Sequence, residues 1–314
     1  MARHGLGPLR VGVIGVGHLG KHHARILSAM PRVELAGVVD KNLGRATEIA
    51  SEYRTRPSLD AGELMGRVDA VTIAVPTEIH LEIARPFLLA GIPVLVEKPM
   101  TRSLAEADEM IATAAKAGAL LAVGHTERFN PAVDVAREHL TDPRFIEVHR
   151  LGVFPERSLD IDVVFDLMIH DLDVILSIVK SDVESIDSVG VPVLTTRADI
   201  ANVRLRFANG CIANLTASRI SRDRVRKLRF FQPEAYLSID YAAQKVEKFT
   251  LHRILGIPKI DGGDLPVVSE EPLLRELADF VDAVRSKSKP LVDGEQGRRA
   301  LALADRISAT MTTV

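Results

Sequence analysis

From Leu9 to Met30 the chain reads LRVGVIGVGHLGKHHARILSAM, and few architectures accommodate that order: an apolar β-rich run, a glycine cluster, then a helical pattern. Leu19, Ile26, Leu27 and Met30 share one core-facing side of the helix. Gly15, Gly17 and Gly20 stand in G-x-G-x-x-G spacing directly between strand and helix. The first permits a tight turn, the second lets backbone approach a pyrophosphate, and the third allows close packing of helix on strand. The helix N-terminus, with His18 and Leu19 in the turn before it, offers N–H groups to the anion. Asp40 ends the next strand, where a carboxylate suits a ribose 2′-hydroxyl. It favours NAD, because a 2′-phosphate would be repelled, while Lys41 and Arg45 beside it leave NADP open; both cations also read as solvated surface charges.

The rhythm of the following segments predicts the architecture. VELAGVVD, VDAVTIAVP, IPVLVEKP and LLAVGH are short apolar strands with little polar alternation, as expected of strands buried on both faces of a parallel sheet. Helical segments lie between them: NLGRATEIASEY, His80 to Ala90 closed by Gly91, and Ser103 to Ala117 with Ser103 as its cap and Glu106 three residues on. Beyond residue 124 the pattern changes. Pro131 to Leu140 is one helix, VVFDLMIHDLDVILSIVK another, and the remaining runs alternate polar with apolar as half-exposed antiparallel strands do. The fold class expected is α/β: a doubly wound parallel sheet over residues 1–123, then an α+β domain with a mainly antiparallel open sheet over 124–314. A closing helical pair, EPLLRELADFVDAVRSK and EQGRRALALADRISA, ends the chain, and a helix of this kind can pack back on the first domain. The open sheet face is a surface for self-association, so a homodimer or homotetramer is expected.

Composition narrows the function. With 40 Lys plus Arg against 42 Asp plus Glu, no global field draws the chain to nucleic acid or an anionic membrane, so any anion must be bound by a local site. No apolar run of about 18 or more residues is present, so no membrane insertion is expected, and the start MARHGLGPLR lacks the apolar middle of a signal peptide. One cysteine, Cys211, excludes an internal disulfide or a multi-cysteine zinc site and suits a cytoplasmic protein.

Two further segments are specific. AVPTEIHLEIARPFLLAGIPVLVEKP places Pro76, Thr77 and His80 after one strand and Glu97, Lys98 and Pro99 after the next; DLMIHDLD puts Asp166 and His170 on a helix. With the glycine motif, the EKP tripeptide and the D-x-x-x-H pair, the chain resembles the Gfo/Idh/MocA family of NAD(P)-dependent sugar and cyclitol oxidoreductases over nearly its whole length. The resemblance implies a Rossmann first domain, with Pro76, Thr77, His80, Glu97 and Lys98 on the cofactor side. It also implies that Lys98 reaches the reacting hydroxyl while Asp166 and His170 face it from the second domain. The residues themselves agree in chemistry. A lysine at the carboxyl end of a parallel strand points into the crevice where doubly wound sheets bind ligands. Asp166, His170 and Asp173, at i, i+4 and i+7, share one helix face, and a carboxylate beside a histidine fixes its tautomer. Either His170 or Lys98 can serve as the base, the other stabilising the alkoxide. No metal is expected, since the nicotinamide carries the redox chemistry.

Substrate candidates are Arg128, which also reads as a structural clamp, Arg157 and Asp160 ahead of the DLMIHDLD helix, and Arg219. Arg219 opens a cluster in which alternation places Arg222, Arg224 and Arg226 on one strand face; that face suits a diphosphate or, equally, an exposed or oligomer-contacting surface. FNPAV, DLMIHDLD and FFQPEAYLSIDY resemble the subgroup that oxidises the 3-hydroxyl of UDP-N-acetylglucosamine, which implies a 3-keto nucleotide sugar as product. The alternatives are a dehydrogenase of a free sugar or inositol, and a non-catalytic regulator that senses NAD and a sugar.

Overall fold

The computed structural model describes residues 7–154, 161–254 and 257–314, which form two compact units: the described residues up to His125 with Leu273–Arg298, and those from Thr126 to Pro272 with Arg299–Val314. The division falls at residue 125 where 123 was expected, because Gly124 still belongs to a strand of the first unit and His125 N–H donates to the Val123 carbonyl.

The first unit contains β1 (Leu9–Ile14), α1 (Gly20–Ala29), β2 (Val33–Val39), α2 (Leu43–Glu52), β3 (Pro57–Ser58), β4 (Ala70–Ile73), α3 (His80–Leu89), β5 (Val94–Glu97), α4 (Leu104–Ala117) and β6 (Leu121–Gly124). The strands are all parallel and lie in the order β3-β2-β1-β4-β5-β6. Every residue of β4, β5 and β6 is buried, which is why their sequences lack alternation. The order reverses between β1 and β4, so a ligand crevice is expected beyond the carboxyl ends of these strands. Ser103 Oγ caps α4 by accepting from Glu106 N–H at 3.3 Å, but the Glu106 carboxylate pairs with Arg102, so only half of the anticipated capping box forms.

The second unit follows with α5 (Pro131–His139), β7 (Phe145–Leu151), α6 (Ile169–Ile178), β8 (Val183–Val191), β9 (Ile200–Phe207), β10 (Ile212–Ser218), β11 (Val225–Gln232), β12 (Ala235–Asp240), β13 (Lys245–Ile254) and β14 (Ile257–Leu265). Then come α7 (Pro272–Ser286), α8 (Gly294–Thr310) and β15 (Thr312–Thr313). The nine strands run β14-β13-β12-β11-β7-β10-β9-β8-β15, antiparallel except for the parallel pairs β7–β10 and β8–β15. Along β9, Ala201, Val203, Leu205 and Phe207 point inward while Asn202, Arg204 and Arg206 are exposed. The inner face is covered by apolar residues of α5, α6 and α8, among them Val133, Leu172, Ala304 and Ile307.

α7 belongs to the first unit because its apolar stripe, Leu277, Phe280 and Val281, completes the core built on Val11, Leu27 and Val38. Burying a side chain of that size stabilises by about 1.5–3 kcal/mol, enough to direct a helix to one core over another.

Two local expectations need correction. The helix read as continuous from Val163 opens with a π turn, Val164–Met168, in which Ile169 N–H donates to the Val164 carbonyl. Arg222 and Arg224 lie in the bend ahead of β11, so of that cluster's proposed row only Arg226 stands on the strand. β3, β14 and β15 carry no sequence signal: the first and last are two residues long, and β14 contains Gly262 and Gly263.

Candidate active site

Steric room explains the glycine turn. Gly15 has φ +84°, and a Cβ there would stand 2.5 Å from the Ala74 carbonyl oxygen; at Gly20 a Cβ would come within 1.7 Å of the Gly15 oxygen. Gly17 is different. Its nearest neighbour would be an Arg45 guanidinium nitrogen at 3.7 Å, so space remains for a bound group to approach the backbone. The first turn of α1 has no side-chain cap, and His18 and Leu19 are exposed on the approach to it, the His18 ring lying edge-on to His22. Asp40, 6 % exposed, accepts from Val16 N–H at 3.0 Å and from Asn42 N–H at 2.9 Å, and Arg45 reaches it at 3.4 Å. The carboxylate thus ties the glycine turn to the end of β2 while keeping lone pairs for a further donor. Lys41 is exposed beside it. Open backbone at Gly17, an uncapped helix end and a carboxylate after β2 together fit a dinucleotide.

Lys98 is the first residue after β5, half-buried, and its peptide bond to Pro99 is cis. Glu97 is buried at the end of β5. Its carboxylate is turned inward, accepting from Lys98 N–H at 3.2 Å on one oxygen and meeting His23 Nε2 at 3.1 Å on the other. Gly124 makes room for it, since a Cβ there would press on the carboxylate at 3.1 Å. His23 reads from sequence as a packing or exposed residue; it is wholly buried, and donor atoms of His23, Glu97 and Glu276 lie within 4.8 Å of one another. Neither His23 nor Glu276 could be found by spacing, being far from Glu97 along the chain. Pro76 is exposed and Thr77 half-buried in the turn between β4 and α3. His80 is buried, its Nε2 2.9 Å from the Val75 carbonyl and its Nδ1 3.1 and 3.3 Å from those of Pro99 and Met100. Desolvation pushes its pKa below the ordinary histidine value against the pull of those carbonyls.

In the second unit Asp166 lies in the π turn and His170 in the first turn of α6, both half-buried, with His170 Nδ1 on the buried side of the ring. Asp173 does not stand with them in environment. It is 2 % exposed and held by Arg128 Nη1 at 3.2 Å; burial pushes its pKa up to about 7, with Arg128 pulling the other way. Arg128, also buried, donates to the Asp173 carbonyl as well, the arrangement of a structural clamp. Arg219, 1 % exposed, is likewise committed within its unit: Nε donates to Asp199 Oδ1 at 2.9 Å and Nη2 to the Ile161 and Ala198 carbonyls. Although burial opposes it, Asp199 is held well below the usual carboxylate range by N–H donors from Leu194, Thr195 and Val193. Arg157 and Asp160 lie outside the described residues. A buried network not anticipated from sequence sits beside His170: Arg150 makes a two-pronged contact with Asp171 at 2.5 and 3.1 Å, reaches Glu127 at 3.1 Å and stacks over Tyr241. The carboxylates overcome desolvation and keep Arg150 charged.

Comparison with known proteins agrees with this geometry. Residues 9–125 match the Gfo/Idh/MocA oxidoreductase family, NAD-binding Rossmann fold, and residues 136–236 match the Gfo/Idh/MocA C-terminal domain. The UDP-N-acetylglucosamine 3-dehydrogenase of Acidithiobacillus ferrooxidans is 40 % identical over 94 % of this chain and 95 % of its own. A solved structure of that enzyme superposes with a TM-score of 0.92, at 38 % identity and 98 % coverage of both chains. More distant is a myo-inositol 2-dehydrogenase of Thermotoga maritima, 26 % identical over 94 % of each chain. Levoglucosan dehydrogenase in complex with NADH shares the fold, with a TM-score of 0.86 at 18 % identity, covering 96 % of each chain. No helix among the described residues is long and apolar enough to cross a membrane. The chain thus belongs to the Gfo/Idh/MocA family of oxidoreductases, with an NAD-binding Rossmann fold over residues 9–125.

Proposed function

We propose that the chain oxidises the 3-hydroxyl of UDP-N-acetylglucosamine to the 3-keto nucleotide sugar, using NAD. The reading is carried by 40 % identity, across 94 % of the chain, to an enzyme named for that reaction. Gly15, Gly17, Gly20 and Asp40 hold the dinucleotide, with Pro76 and Thr77 bordering it. NAD, when bound, accepts the hydride that leaves C3 of the sugar. The residues of the chain manage the proton. His170 Nε2 takes it from the O3 hydroxyl, since Nδ1 is on the buried side of the ring, and Asp166 stabilises the imidazolium that forms. The Lys98 ammonium steadies negative charge on O3 as the C3–O3 double bond forms. Near-ultraviolet absorbance of NADH is expected to rise with NAD and UDP-N-acetylglucosamine and stay flat with myo-inositol. Turnover of inositol alone would contradict this substrate; tight NAD binding without turnover of any polyol would favour a sensor.

We also propose that the protein works in the cytoplasm as a homodimer or homotetramer formed through the outer sheet face. Phe145, Phe231, Tyr236 and Phe249 are paired across β7, β11, β12 and β13 and form one aromatic row, with successive ring centroids 5.6, 5.1 and 6.3 Å apart. Phe231 and Phe249 are 37 % and 40 % exposed. A row of this kind is favourable to cover. Light scattering is expected to give an oligomer that Phe231→Lys disrupts; a monomeric wild type would contradict the assignment.

A further inference from the structure

We infer that His80 is a positioning residue for Lys98, fixing the turn that carries the lysine to the turn that follows β4. The inference rests on the assignment of Lys98 to the reacting hydroxyl. At 1 % exposure the His80 ring offers no surface to a ligand, yet its two nitrogens face carbonyls on two different turns. Nε2 meets Val75, in the turn that continues into Pro76 and Thr77. Nδ1 meets Pro99 and Met100, the two residues after Lys98. Upstream, Glu97 accepts the Lys98 N–H. The backbone at Lys98 is therefore held by its own N–H on one side and by the next two carbonyls on the other.

Burial pulls the pKa of the ring down, while the Val75, Met100 and Pro99 carbonyls and the charge of Glu97 favour its protonated form. A protonated imidazole donates from both nitrogens and ties both turns, whereas a neutral one donates from a single nitrogen; in either form Nδ1 and Nε2 address different turns, so the two sides of the clamp can be separated by substitution. In His80→Asn the side-chain amide would occupy roughly the Nδ1 position and keep the bond to the Lys98 turn. His80→Gln would reach the Nε2 position and keep the bond to Val75 only.

The test is made on full-length protein with NAD bound. In turnover of UDP-N-acetylglucosamine, His80→Gln and His80→Ala should lower kcat about 10–100-fold with KM for NAD within about twofold, because a displacement of about 1 Å at a catalytic group costs on that order. His80→Asn should retain kcat within about threefold. Reductive methylation of Lys98, followed by mass spectrometry, reads the same placement without turnover: its rate should change in the Gln and Ala variants and hold in the Asn variant. Wild-type kcat and Lys98 labelling in all three would overturn the inference, as would a rise in KM for NAD at constant kcat. Lack of turnover by the wild type would count against the substrate, while the labelling still decides the role of His80.

Discussion

In the first unit, Lys98, Asp40 and the glycine turn sit at the carboxyl ends of parallel strands and are braced largely through backbone N–H and carbonyl groups. In the second, Asp166 and His170 sit on a helical segment whose neighbours Asp171 and Asp173 are buried against Arg150 and Arg128. The difference teaches what each brace costs to lose. A neutral hydrogen bond contributes about 1 kcal/mol and its loss displaces a turn, whereas a buried charge stripped of its partner costs about 3–5 kcal/mol and threatens the whole unit. Function in the first unit should thus be separable from stability. In the second the two should be entangled.

The sharpest separation is expected at Lys98. Lys98→Met should lower the rate of NADH formation about 10²–10⁴-fold with folding and NAD binding preserved, as read by steady-state kinetics, thermal melting and cofactor fluorescence. A variant within tenfold of wild type would remove Lys98 from the chemistry. Next in size is one of the buried pairs of the second unit, Arg219 with Asp199. Arg219→Ala removes a charge-assisted bond from buried Asp199 while the N–H donors of Val193, Leu194 and Thr195 remain, and denaturant unfolding should show a loss of about 1.5–3 kcal/mol. Arg10→Ala, which breaks an exposed pair with Asp69 in the first unit, should cost about 1 kcal/mol or less. Equal losses at the two sites would break the comparison.

The last test is a slope. Asp173 has its pKa raised to about 7 by burial, above the ordinary carboxylate value it recovers on unfolding. The folded state then holds a proton that the unfolded state releases. Its contribution is full below about pH 4 and is lost as pH rises to about 7. Wild-type stability should therefore fall relative to Asp173→Asn across that window and run parallel above it. A relative rise across the window would mean that Arg128 dominates and keeps Asp173 ionised.

The same contrast explains what can be read without coordinates. The glycines, Asp40 and Lys98 are legible because turns between buried strands leave a short-range signature: Gly15 and Gly20 are needed where a Cβ has no room. The doubly wound architecture follows from unbroken apolar strands alternating with helices. Asp166 and His170 are legible as a motif, but the π turn beneath Asp166 is not, since an extra residue per turn leaves apolar periodicity little changed over five residues. Least legible are the long-range partnerships: His23 with Glu97, Arg150 with Glu127 and Asp171, and Arg219 with Asp199. A buried arginine looks, in sequence, the same as one meant for a phosphate. Arg219 reads as a substrate contact on that ground, and the structure commits it instead to Asp199 and two backbone carbonyls.

Isotopic transfer tests the central proposal most directly. UDP-N-acetylglucosamine deuterated at C3 is incubated with the protein and NAD, and both products are analysed by mass spectrometry. The proposal predicts deuterium on the nicotinamide ring and a ketone at C3 of the sugar. NADH that forms without the label, or a sugar that keeps its deuterium under conditions where another polyol is oxidised, would contradict it.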